Sequence, residues 1–127
     1  MTLAFFHNRL SVTAGLFFLV LALWGFWRFF RKQGIDSSYF GALVIGEILV
    51  VVQTVLGIIL WVEGARPARG AIHLIYGFLI PAVIPLVYNY TKGGSSRRES
   101  LVYGAAIIFG VGLILRAITT GLDPALY

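Results

Sequence analysis

The stretch "FGALVIGEILVVVQTVLGIILWV", residues 40–62, decides the fold class. It carries a single ionisable side chain, Glu47, in 23 residues. A helix rises 1.5 Å per residue, so about 20 apolar residues cross the roughly 30 Å hydrocarbon core of a bilayer. The apolar residues run on without alternating, which argues against a barrel strand. Three further blocks of this kind flank it. Together they predict spans at about 5–28, 40–62, 71–90 and 101–122, the last interrupted by Arg116. Charged residues make up 12% of the chain, where an ordinary soluble domain has about a quarter. The sequence therefore predicts an all-α, integral membrane four-helix bundle, forming a single domain over residues 1–127.

The flanking charges set an expected orientation. Arg28, Arg31, Lys32, Lys92, Arg97 and Arg98 lie at one end of the spans, against Arg9, Arg66, Arg69 and Arg116 at the other. Lys and Arg accumulate on the cytoplasmic side, so both termini are expected on the outer side. Trp24, Trp27, Tyr88 and Tyr90 fit an aromatic belt at the cytoplasmic interface. The net charge of +5 is placed to meet lipid headgroups and not nucleic acid. Basic residues follow the first apolar block ("WRFFRK") and no small-residue cleavage site appears, which favours a retained span over a signal peptide. "NYTKGGSSRRES", residues 89–100, reads as a flexible linker. Without cysteine there are no disulfides, thiolate ligands or cysteine nucleophiles. No glycine-rich phosphate loop, Ser/His/Asp arrangement or carboxylate pair points to hydrolysis.

The chain holds two histidines. His7 opens the first span and His73 opens the third, within "ARPARGAIHLIYGFLIPAVIPLVYNY", residues 65–90. Because consecutive spans alternate in direction, both histidines begin at the same membrane face and at similar depth. Spacings of 4, 7 and 8 residues stay on one helix face. From His7 they reach Ser11, Ala14 and Gly15, and from His73 they begin with Gly77. Small residues beneath two converging imidazoles leave room for a flat macrocycle whose metal takes one histidine from each side. Arg9, Arg66 and Arg69 lie at that end and could pair with haem propionates. The plainer alternative stays open: small residues serve close packing of membrane helices, and histidines are common at interfaces.

Three other features carry weaker signals. Glu47 is either a proton or cation site or a buried carboxyl satisfied by a neighbouring helix. Gln53 lies about 120° around the helix from it and reads as an interhelical hydrogen-bonding residue. Pro81 and Pro85 predict a kink in the third span. Ala106 and Gly110 form a small-xxx-small pair suited to helix packing.

"FFHNRLSVTAGLFFLVLALWGFWRFFRK" resembles the helix of heme A synthases that opens with a haem-ligating histidine and an arginine. "VVQTVLGIILWVEGARPARGAIHLIYGFLIPAVI" is similar to the next two helices of that family, with Gln53 and Gly57 in a Gln-x-x-x-Gly segment, an outer loop, and then the second histidine. The resemblance covers about residues 5 to 90 and implies His7 and His73 as paired ligands, with Arg9 close to the family's arginine. The chain departs from the pattern in several respects. It is about one half of the family's two four-helix halves, and its histidines fall on the first and third helices. Ala4 stands where the catalytic half has a glutamate, and the loop cysteines are absent. The resemblance thus implies a bis-histidine b-type haem bundle more than oxidation of a haem methyl group.

These readings predict a small multi-pass protein of a prokaryotic plasma membrane, more an electron-transfer subunit than an enzyme on its own. Haem b would be held by His7 and His73 as metal ligands, with Ser11, Ala14, Gly15, Gly77, Arg9 and Arg69 around it. Its partners would be the lipid bilayer, other subunits of a respiratory or photosynthetic complex or a second copy of itself, and quinol. The alternatives are a cofactor-free assembly subunit or pigment-binding subunit, a proton-coupled transporter using Glu47, and a half-size heme A synthase-like enzyme.

Overall fold

The computed structural model describes residues 3–67 and 70–121, and among these every regular element is helical. Helix α1 spans Leu3–Phe30, α2 Ser37–Val62, α3 Gly70–Leu79, α4 Val83–Thr91 and α5 Arg97–Gly121. A single 3-10 turn, Ile80–Ala82, joins α3 to α4, so that Gly70–Thr91 forms one broken span. Four segments are thus long and apolar enough to cross a bilayer, and their large apolar side chains are widely exposed, as expected of a multi-pass membrane protein facing lipid. Residue 122, the expected end of the fourth span, lies outside the described residues.

The break in the third span follows from its prolines. Pro81 has no N–H to give the carbonyl of Gly77, four residues earlier. Thr54 of α2 supplies the missing donor: its hydroxyl donates to Gly77 O at 2.7 Å. The expected kink therefore takes the form of a 3-10 turn whose freed carbonyl is satisfied from the neighbouring helix.

Helix α1 packs along α5 and, less extensively, along α2, while α5 also receives α3 and α4. Glycines let α1 and α5 approach closely. A Cβ on Gly25 would lie 3.2 Å from Gly104 Cα, and one on Gly110 would lie 3.2 Å from the Phe18 ring. Phe18, Leu21, Ala22, Leu43, Tyr103 and Ile107 fill the interior. Tyr39 is fully buried there, and its hydroxyl donates to Leu21 O at 2.8 Å.

At one end of the bundle the two loops hold each other. Helix α1 stops with Lys32 in the left-handed region, where Gln33 N donates to Arg28 O and Lys32 N to Phe29 O, a Schellman ending. Lys92 closes α4 in the same way. Asp36 caps α2 by accepting from Tyr39 N at 2.8 Å, and it pairs with Arg28 at 3.3 Å. Ile35 N donates to Ser95 O, and the Ser100 hydroxyl to Gln33 O. Gly34 lies so close to the Ser95 carbonyl that any Cβ there would collide with it.

The supposed linker is short and fixed for the same reason. Glu99 accepts from both the backbone N–H and the hydroxyl of Ser96, forming a capping box that starts α5 at Arg97, ahead of the expected boundary.

Candidate functional site

Both histidines lie at the opposite end of the bundle, and the fold brings them together. Their ring centres are 6.3 Å apart and their planes cross at 71°. They come from α1 and α3, which have no extensive packing with each other, so the imidazoles meet across the bundle and not along a helix seam.

The fourth span seats His73. Its Nδ1 lies 2.9 Å from the carbonyl of Ala117 and 3.3 Å from the Thr120 hydroxyl oxygen. A carbonyl can only accept, so Nδ1 carries the proton in the neutral ring and the Nε2 lone pair is left free. This tautomer follows from the hydrogen-bond network. Gly121 allows the approach, since a Cβ there would stand 2.9 Å from His73 Cε1.

The second span seats His7 in a related way. Gly57 faces the ring, and a Cβ there would lie 3.2 Å from His7 Cε1. Gln53 anchors the α1 backbone by donating from Nε2 to His7 O at 2.7 Å, the interhelical bond its position suggested. In both seats a glycine lies against the imidazole, four residues beyond the residue whose backbone adjoins the ring: Gln53–Gly57 for His7 and Ala117–Gly121 for His73. The seats differ at the second ring nitrogen. His7 Nδ1 is buried without a hydrogen-bond partner among the described residues, as is Gln53 Oε1.

The other expected site residues divide. Gly77 meets nothing within 4 Å of its Cβ position, and its carbonyl is held by Thr54. Ser11 bonds back to Asn8 O of its own helix. Ala14 is buried in the core, and the Cβ position of Gly15 lies 3.4 Å from Ile114 of α5, so both face helix packing. Arg9 is exposed with its guanidinium over the Phe5 ring at 5.2 Å. Arg66 stacks on Trp61 at 3.9 Å and donates to Trp61 O and Ala65 O. Arg69 lies outside the described residues. Glu47 stands ten residues before Gly57, about 15 Å along the helix, and so belongs to another part of the bundle; its Oε1 is buried and unpartnered.

Sequence reasoning missed Ala117, Thr120 and Gly121. Their signal is faint: one hydroxyl and one glycine at the end of an apolar span, with nothing to say which helix they meet. Among the described residues no group of three or more His, Cys, Asp or Glu side chains could hold a metal ion. Comparison with known proteins gives no matching family model, curated protein or solved structure.

Proposed function

We propose that this chain is a small membrane haem b protein in which His7 and His73 ligate one haem from opposite sides. The observation that carries the reading is the meeting of the only two histidines at 6.3 Å. At that separation one metal could take a ring nitrogen from each histidine, and His7 and His73 are the residues that would hold it. The tautomer of His73 leaves Nε2 free to ligate while Nδ1–H is held by a carbonyl, the usual outer support of a metal-bound histidine. A macrocycle would bring four nitrogens of its own, so that two histidines would suffice as the protein's ligands. The sequence resemblance to heme A synthases points the same way.

Haem supplies one-electron chemistry, and two protein ligands favour electron transfer. The residues of the chain bind and orient it: His73 through Ala117 and Thr120, and His7 through the Gln53 bond to its backbone. Arg9 would need to leave Phe5, and Arg66 to leave Trp61, before either met a propionate. A single haem near one face cannot carry electrons across the whole bilayer. The chain would therefore exchange them with quinol or with a partner subunit of a respiratory or photosynthetic complex in a prokaryotic plasma membrane, on the face where α1 begins and α5 ends. The absorption spectrum of the purified protein tests this. A Soret band with reduced α and β bands is expected, altered or lost on replacing His7 and lost on replacing His73; a folded, colourless protein overturns it.

The buried, unpartnered carboxyl oxygen of Glu47 favours a second reading, a proton-coupled transporter. Proton uptake abolished by Glu47→Gln in a haem-free protein would support it.

A further inference from the structure

We propose that the two histidines are unequal ligands, His73 permanent and His7 exchangeable, so that a small neutral two-electron donor such as carbon monoxide can reach ferrous iron on the His7 side. The proposal rests on the haem reading above. The exchange is a ligand substitution. His7 Nε2 would leave with its own lone pair as carbon monoxide donates one in its place, with no change of oxidation state.

The inequality lies in the second ring nitrogen. His73 Nδ1 is fixed by the Ala117 carbonyl at 2.9 Å and the Thr120 oxygen at 3.3 Å, with Gly121 against the ring. Rotating His73 away from iron breaks these contacts. For His7 the backbone of Gln53 is within reach of the ring, but no bond of ordinary geometry closes on the buried Nδ1. The Gln53 side chain holds the His7 backbone and leaves the ring free to turn. Rotation of His7 thus breaks no hydrogen bond of ordinary geometry, where rotation of His73 breaks those to Ala117 and Thr120.

One retained hydrogen bond is worth about 1 kcal/mol, which sets the preference for losing His7 over His73 at roughly fivefold.

The test uses the full chain, purified with haem, reduced with dithionite and mixed with carbon monoxide. The wild type should bind it at a rate that levels off with concentration, limited by departure of His7. In His7→Ala the rate should rise linearly, and the C–O stretch of the adduct should match the wild type, because both keep His73. A reduced wild-type haem that takes up no carbon monoxide overturns the proposal. So does an adduct in His73→Ala that matches the wild type. If His73→Ala loses its haem, Thr120→Val decides. It changes the C–O stretch if His73 is the retained ligand, and an unchanged stretch overturns the proposal. Absence of haem from every variant instead defeats the haem reading itself, which the initial spectrum distinguishes.

Discussion

The two ends of this bundle are built differently. At the loop end, helix endings, an N-cap, a capping box and an ion pair leave polar groups satisfied, and the loops bond to each other through Ile35, Ser95, Gln33 and Ser100. At the histidine end three interhelical contacts do most of the polar work: Gln53 to His7 O, Thr54 to Gly77 O, and His73 to Ala117 O. His7 Nδ1 and Gln53 Oε1 are left buried and unpaired there. Buried polar groups are ordinarily satisfied, and the exceptions tend to mark strain or function. The loop end thus reads as the structural clamp and the histidine end as the place where a ligand would complete the protein.

Substitutions should separate the two ends. The largest effect on stability is expected from Gly34→Val, whose side chain would collide with the Ser95 carbonyl and push the clamped loops apart. A loss of about 2–3 kcal/mol in detergent unfolding is expected, with the spectrum of the surviving folded protein unchanged. A spectral change on the scale of a histidine substitution would show that the ends are not independent.

Thr54→Val keeps the shape but leaves the Gly77 carbonyl, already deprived of its helical donor by Pro81, without a partner. A loss of about 1 kcal/mol is expected, since interhelical hydrogen bonds in membrane proteins are modest. Because Gly77 lies one turn from His73, the visible band of the proposed haem should also shift slightly. Equal stability of Thr54→Val and wild type would remove the compensation from the account.

The smallest effect belongs to Ser96→Ala, which takes the hydroxyl from the capping box of α5. About 0.5–1 kcal/mol should be lost, seen as a lower melting temperature with no spectral change. A drop several times larger would mean that the cap also holds the two loops together.

How far the sequence reveals this molecule follows from the physics of each element. Apolar blocks near bilayer length announce the four spans with no help from tertiary structure. Alternating direction then places His7 and His73 at one end, and the fold brings them within 6.3 Å. The start of α5 was hidden because Ser96 and Glu99 sit among Gly, Ser and Arg, a composition that reads as linker although the same residues form a capping box. The roles of Gly15 and Gly121 were hidden for another reason. A glycine provides space without stating what fills it, and Ile114 takes the space at Gly15 while His73 takes that at Gly121. The support of His73 comes from a backbone carbonyl, which no side-chain pattern encodes.

The central claim is that the paired histidines hold one haem, and the reduced absorption spectrum of the purified chain tests it most directly. The account predicts a sharp Soret band with α and β bands in the wild type. In His7→Ala the bands should be altered or lost, and in His73→Ala they should be lost. A wild-type protein that folds, unfolds cooperatively and shows no visible absorption after expression with ample haem would contradict it.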